Sequence, residues 1–251
     1  MSSIKAAILC GGQGSRLRPL TYYFQKTMLP IGRRQKPMLE YVLKYIRSSG
    51  IREATLLVGY KAEQIINYFG GGSSVGMKLS YSRDSPKLEG NGGALFNAFS
   101  KGLFDGYDDV LVYYSDILTT LDLRKMVEEH RTHKNVATLA VASSYRLPVG
   151  VAHIGKDGVI ERMDEKPNIG LNVGIGIMLM KTAAIGQITS MGPRVDIMGD
   201  LLKRLTEGGR VGSFVTNDFW LDLGSLDVYE KLDHRKIDEL FSSLIKVTAA
   251  R

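Results

Sequence analysis

Short apolar, β-branched runs recur along the chain, and the stretches between them return their apolar residues at helical spacing. Residues 4–9 (IKAAIL), 54–58 (ATLLV), 110–114 (VLVYY) and 137–141 (ATLAV) read as buried strands. Residues 38–46 and 62–68 carry amphipathic helical patterns, and residues 93–99 continue a glycine-rich loop into another helix. The resulting β-α-β order predicts an α/β fold with a mostly parallel sheet. Residues 150–154 and 159–163, separated by Gly155-Lys156-Asp157-Gly158, predict a hairpin with an Asp-Gly turn and therefore a mixed sheet. In the tail, Tyr229, Leu232, Ile237, Leu240, Phe241 and Leu244 align along one helical face over residues 226–247, which predicts an amphipathic helix docked on its own domain. The domain reading is therefore a unit over residues 1–225 followed by that helix over 226–251.

The first strand breaks into Gly11-Gly12-Gln13-Gly14-Ser15-Arg16-Leu17, and Lys26-Thr27-Met28-Leu29-Pro30 follows. Three glycines in four positions let successive N–H groups converge on an anion, while Arg16, Arg18 and Lys26 add charge at the same strand end. This pattern predicts a phosphate-gripping loop. It is not a P-loop, because no Gly-Lys pair arrives at the required spacing. Nor is it a dinucleotide fingerprint, because Leu17 stands where the third glycine belongs.

Composition changes this picture only at its edges. At 251 residues, 44% hydrophobic and 24% charged, the chain suits one ordered domain. A net charge of +7 favours polyanionic ligands, but the basic residues are interspersed with acids, which argues for nucleotides and against a nucleic-acid partner. The lone Cys10 lies in an apolar strand and has no intrachain disulfide partner, as a reducing cytoplasm would allow. Neither a signal-peptide pattern nor a bilayer-length apolar run is found, so no membrane partner is expected.

Two carboxylates complete the candidate chemistry. Asp116 follows the strand at 110–114, and Asp222 lies in Trp220-Leu221-Asp222-Leu223-Gly224. Open α/β sheets bind ligands at the carboxyl ends of their strands, so Asp116 can meet a triphosphate held by the glycine loop. Mg²⁺ takes one or two carboxylates plus phosphate oxygens, and these aspartates are its candidate ligands. Between them, Glu165-Lys166-Pro167 pairs an acid suited to hydroxyl groups with a lysine suited to phosphate, and Asn172-Val173-Gly174 opens another apolar run. His130-x-x-His133 has metal-like spacing but lacks companion ligands, and it reads as the polar end of a helix.

Taken in order and spacing, these segments resemble the sugar-1-phosphate nucleotidyltransferases, the nucleotide-sugar pyrophosphorylase family. The resemblance runs from Ile4 to about Tyr229. It rests on GGQGSRLRPLT at 11–21, KTMLP at 26–30, KPM at 36–38, GNGGAL at 90–95, Ser115-Asp116, EKP at 165–167, NVG at 172–174 and WLDLG at 220–224. It implies a Rossmann-like, three-layer α/β domain with a mixed, mostly parallel sheet, and Mg²⁺-dependent transfer from an NTP to a sugar 1-phosphate. Many relatives add a left-handed β-helix, and none is expected within this chain.

The resemblance also implies individual roles. Gly11, Gly12, Gly14 and Ser15 would face base and phosphates, with Gly90, Asn91 and Gly92 by the base and sugar. Arg16 would grip the departing pyrophosphate end, Lys26 would neutralise the reacting phosphates, and Asp116 and Asp222 would hold Mg²⁺. Lys166 would hold the phosphate of the sugar 1-phosphate, with Gly150, Glu165 and Asn172 on sugar hydroxyls. Gly59, Tyr60 and Asp84 would line the base pocket. The family includes mannose-1-phosphate guanylyltransferases and glucose-1-phosphate thymidylyl- and uridylyltransferases, so the implied sugar is glucose or mannose 1-phosphate. Ser115 and Asn91 depart from the usual glycine and threonine, and the usual Tyr before Gly150 is missing. The rival reading is a non-catalytic, regulatory paralogue, against which the complete charged set argues. Base, oligomeric state and allosteric regulation are left open, a homo-oligomer being compatible with the family.

Overall fold

The structure is a computed structural model that describes residues 3–209 and 211–245. Eleven strands are needed to place the site: β1 Ile4–Cys10, β2 Glu53–Val58, β3 Lys78–Arg83, β4 Asp109–Tyr114, β5 Ile117–Thr119, β6 Ala137–Ala142, β7 Val151–Ile154, β8 Ile160–Asp164, β9 Val173–Lys181, β10 Val211–Thr216 and β11 Trp220–Asp222. Seven of them form the central sheet in the order β10-β6-β9-β4-β1-β2-β3. Every neighbouring pair is parallel except those made by β9, which runs antiparallel to both β4 and β6.

Both faces of this sheet are buried, as the near-continuous apolar strands require. Along β4, Leu111 and Tyr113 join a core with Ile8, Leu56 and the helix α1 (Met38–Ser48). Val110 and Val112 point the other way, to a core with Leu57, Met178 and Leu95 of the helix α3 (Gly90–Ser100). The helix α2 (Ala62–Phe69) buries Ile65 and Phe69 on the first side, and α4 (Leu123–Thr132) adds Met126. The result is the expected three-layer α/β domain with a mixed, mostly parallel sheet.

The sheet is mixed for a different reason from the one the sequence suggests. The hairpin forms as β7 and β8, but these strands pair only with each other among the described strands. Ile154, Ile160 and Met163 are all more than half exposed, so the ribbon gains no core face that would draw it into the main sheet. The antiparallel member is β9 instead.

The tail also departs from expectation. In place of one helix over 226–247 there are three short ones, Leu226–Glu230, His234–Leu240 and Ser242–Ile245. Residues 246 and 247 of the expected helix lie outside the described residues. The interruption has a local cause. Asp233 accepts hydrogen bonds from the Arg235 and Lys236 amides at 3.0 Å each, a helix-starting cap in the middle of the apolar period. Docking nevertheless occurs: Ile237 and Phe241 are buried, Phe241 meets Tyr41 edge-on at 6.0 Å, and Tyr229 Oη donates to Pro30 O at 2.7 Å.

The histidine pair proves structural. His130 is buried, with Nδ1 2.8 Å from Thr138 Oγ1 and Nε2 3.4 Å from Asp109 Oδ1, whereas His133 Nδ1 lies 2.9 Å from Glu129 O. Asp109 is fully buried at the start of β4, where Lys181 Nζ donates to it at 2.8 Å. Burial pushes the Asp109 carboxyl up, but His130 and Lys181 beside it prevail and hold it below its ordinary value. A depressed folded value means that the stabilisation is complete above the ordinary carboxyl range and is lost as pH falls through the folded value. Asp109→Ala is expected to cost about 3–5 kcal/mol in urea unfolding at pH 7. Its midpoint should also decline less than the wild type's below about pH 4; equal acid sensitivity would exclude Asp109 as a source.

Candidate active site

β1 delivers the glycine loop to the carboxyl edge of the sheet. Gly14 adopts φ +64°, and a Cβ there would stand 2.9 Å from Thr21 Cγ2 and 3.1 Å from Lys26 Cβ. Its carbonyl accepts from Leu17 N and Thr21 Oγ1, both at 2.9 Å, which closes the turn carrying Ser15 and Arg16. The second half of the loop is fixed by Gln25, a buried residue that sequence reasoning missed. Gln25 Nε2 donates to Cys10 O, and its Oε1 accepts from Thr27 N and Oγ1, all at 2.6 Å. One buried amide thereby ties the end of β1 to the turn bearing Lys26. No periodicity or charge pattern marks it; its position immediately before Lys26 is the only signal available.

Asp116 follows β4, and Lys26 Nζ is ion-paired to its Oδ2, both side chains being largely buried. Asp222 is brought beside this pair by backbone pairing. β5 and β11 form an antiparallel ladder with Asp222 opposite Ile117, and Leu223 N donates to Asp116 O at 2.9 Å. Burial, and then the charge of Asp116, push the Asp222 carboxyl up, while Lys26 and Arg16 oppose that shift. Arg16 reaches the same point. From the position of a Cβ on Gly224, Asp222 Oδ1 would be 2.7 Å away and Arg16 Nη2 2.9 Å. Two adjoining carboxylates offer hard oxygen donors, and the donor set fits Mg²⁺ that keeps its remaining positions for phosphate and water. Among the described residues no cluster of three or more metal-ligating acids, histidines or cysteines occurs, so such an ion would depend on substrate oxygens.

Two cavities flank this seam, one lined by Lys26 and Asp116 and the other by Arg16 and Asp222. One, of about 360 Å³, is lined by Gly11, Gly12, Leu57, Asp84, Gly90, Asn91, Ala94, Tyr114, Lys26 and Asp116, among others. The other, of about 1000 Å³, is lined by Arg16, Tyr145, Arg146, Lys166, Trp220 and Asp222, with Tyr145 and Trp220 stacked at 6.3 Å between centroids. Gly150 and Glu165 are adjacent, since Glu165 Oε2 lies 3.2 Å from where a Gly150 Cβ would be, and Lys166 Nζ is 3.9 Å from Glu165 Oε1. These three stand together, whereas Asn172 is exposed and, like Gly150 and Glu165, lines neither cavity.

The second glycine segment is helical rather than a loop: residues 90–92 form the first turn of α3. A Cβ on Gly90 would lie 2.4 Å from Val195 O, and one on Gly92 would lie 2.7 Å from Val195 Cγ1. These glycines admit the segment around Val195; Gly90 still faces the first cavity, while Gly92 is buried against Val195. Asn91 is likewise engaged by protein: its amide donates to Tyr114 Oη at 2.9 Å and Asp196 Oδ2 at 2.8 Å, and its oxygen accepts from Ile197 N at 2.6 Å.

A family model described as nucleotidyl transferase matches residues 5–238, and the chain belongs to that family. It is 32% identical to a UTP–glucose-1-phosphate uridylyltransferase of Synechocystis, over 90% of this chain and 61% of that protein. It is 31% identical to a D-glycero-alpha-D-manno-heptose 1-phosphate guanylyltransferase of Aneurinibacillus thermoaerophilus, over 91% and 96%. A glucose-1-phosphate thymidylyltransferase of Streptomyces griseus is 30% identical over 89% and 63%. The chain thus spans about three fifths of the first and third of these relatives and nearly all of the second. A solved Bacillus anthracis structure in complex with a sucrose shares the fold, with TM-score 0.74 at 23% identity over 99% of this chain and 98% of its own.

Cys10 borders the first cavity but is only 1% exposed, and burial above all pushes its thiol up to about 12. Folded protein at pH 8 should therefore leave a colourimetric thiol reagent unreacted, and guanidinium should release one thiol per chain. A native reaction rate within tenfold of the denatured one would contradict this.

Proposed function

We propose that this chain transfers a nucleotidyl group from an NTP to a sugar 1-phosphate, giving an NDP-sugar and pyrophosphate. The observation that carries the reading is the convergence of Arg16, Lys26, Asp116 and Asp222 on a seam flanked by the two cavities. A phosphate oxygen of the sugar 1-phosphate attacks the α-phosphorus in line, that P–O bond forms, and the bond to the β-phosphate oxygen breaks with pyrophosphate as leaving group. Because the attacking oxygen is already anionic, no protein nucleophile or general base is required; alignment and charge neutralisation supply the catalysis.

The first cavity, with Gly11 and Gly12 at its rim, takes the nucleotide. The loop through Gly14 and Ser15 carries Arg16 to the pyrophosphate end, and Lys26 sits at the reacting phosphates. Asp116 and Asp222 would hold Mg²⁺, which when bound supplies positive charge to the phosphate oxygens. Lys166 takes the phosphate of the incoming sugar, glucose or mannose 1-phosphate, while Glu165, Gly150 and Asn172 meet its hydroxyls. Gly90 and Asn91 shape the nucleotide side, with Gly92 acting through packing. A cytoplasmic setting belongs to this reading, supported by the unpaired Cys10. Among the described residues no helix is long and apolar enough to cross a membrane.

The test is pyrophosphate release with Mg²⁺ over a grid of five NTPs against glucose, mannose and N-acetylglucosamine 1-phosphates. Release should require both substrates. Asp116→Asn and Lys26→Met should each lower the rate about 10²–10³-fold, the scale of losing one preorganised charge contact. NTP binding without release in any combination would favour the regulatory alternative.

Lys26 is paired to Asp116, so removing its charge should also alter binding of the ion. Lys26→Met is expected to bind Mn²⁺, measured by its effect on water proton relaxation without nucleotide, more tightly than the wild type. Unchanged or weaker Mn²⁺ binding would show that Lys26 does not compete for that carboxylate.

A further inference from the structure

The first cavity contains a carboxylate that the proposed chemistry does not use. Asp84 immediately follows β3, and its amide donates to Val58 O at 2.9 Å. Its carboxylate lies against two glycines. From the position of a Cβ on Gly59, Asp84 Oδ2 would be 2.0 Å away; from one on Gly11, Oδ2 and Oδ1 would be 2.9 and 3.3 Å away. Any side chain at either position would collide with it, so two separate loops leave room for this one group. Among the described residues nothing donates a hydrogen bond to the carboxylate and no cation pairs with it. Partial burial in the cleft raises its carboxyl above the ordinary value, with no charged neighbour contributing.

Its distance from the reacting centre is set by topology. Asp116 follows β4 and Asp84 follows β3, and these strands are three places apart in the order β4-β1-β2-β3. At about 4.8 Å per strand this is about 14 Å, on the scale of a nucleoside monophosphate. With Lys26 and Asp116 at the phosphates, Asp84 lies where the base edge of a nucleotide in this cavity would fall.

An ionised carboxylate presents two acceptors and no donor. Among the common bases only guanine offers two adjacent donors on its pairing edge, N1–H and the N2 amine. Uracil and thymine flank N3–H with carbonyl oxygens, and adenine and cytosine place a ring-nitrogen acceptor beside their amine, so each would set a lone pair against Asp84. A site built around a particular hydrogen-bonding pattern rejects analogues that lack it far more strongly than an apolar pocket does. We propose that Asp84 selects guanine by accepting N1–H and N2–H together, which makes GTP the nucleotidyl donor. The proposal rests on the reading of the first cavity as the nucleotide site.

The experiment compares kcat/KM for GTP, ITP, XTP, UTP and dTTP with one accepted sugar 1-phosphate, in the wild type and in Asp84→Asn. ITP lacks the N2 amine and should fall at least tenfold below GTP in the wild type, with UTP and dTTP at least a hundredfold below. An asparagine amide accepts one N–H and donates one, which suits the N1–H and C2 carbonyl of xanthine. Asp84→Asn should therefore lose GTP about a hundredfold and use XTP better than GTP, a gain that an unfolded variant could not show. The proposal is overturned if the wild type uses GTP and ITP equally or prefers a pyrimidine, or if the variant loses every NTP alike, as a contact to ribose would require. Should no NTP be consumed, the transferase reading fails on its own. Equilibrium binding of GTP against ITP and XTP then decides the base contact: a tenfold or greater preference for GTP upholds it and equal affinities overturn it.

Discussion

The site depends on three residues of backbone pairing. The ladder between β5 and β11 joins parts of the chain about a hundred positions apart and sets Asp222 beside the carbonyl and side chain of Asp116. Two carboxylates at such a place repel each other and are drawn from water, and the upward shift of Asp222 records both costs. Main-chain hydrogen bonds hold the arrangement against that repulsion, with Arg16 and Lys26 supplying opposing charge. The deep cores above and below the sheet stabilise the strands from which this short ladder extends.

Buried polar contacts divide between scaffold and site. At the amino end of β4, buried Asp109 is held by buried His130 and by the partly exposed Lys181 and secures the strand's origin. Past the carboxyl end, Asp116 is paired with a lysine but remains accessible through a cavity. One strand therefore carries a fully buried carboxylate at one end and a cavity-lining one at the other, consistent with ligand binding at the carboxyl edge of an open α/β sheet.

Much of the fold was legible because buried strands need apolar, β-branched residues: the runs at 4–9, 54–58, 110–114 and 137–141 all fall within strands of the central sheet. The hairpin at 150–163 was legible as a hairpin through its Asp-Gly turn, but local pattern carries no information about which sheet a ribbon joins. β9 contains Gly174 and Gly176, and its antiparallel place between β4 and β6 is decided by tertiary pairing alone. In the tail, a continuous apolar period concealed the cap at Asp233. At the site, Arg16, Lys26, Asp116 and Asp222 could be picked out because charged residues at strand ends are conspicuous. Gln25 could not, because its contribution is three buried hydrogen bonds. Gly92 illustrates the converse: its glycine is required by the close approach of Val195, a packing demand that a glycine signature does not distinguish from ligand contact.

The β7–β8 ribbon has a consequence for how such a protein can change. Its strands hydrogen-bond to each other, its apolar residues are exposed, and the Gly150–Glu165–Lys166 group lies at its base. Substitutions there leave the seven-stranded ladder and both cores untouched, so they can accumulate without eroding thermodynamic stability. On the proposed assignment, preference for the acceptor sugar can then change without cost to the scaffold, whereas a change at the phosphate-handling seam disturbs a ladder anchored through the sheet.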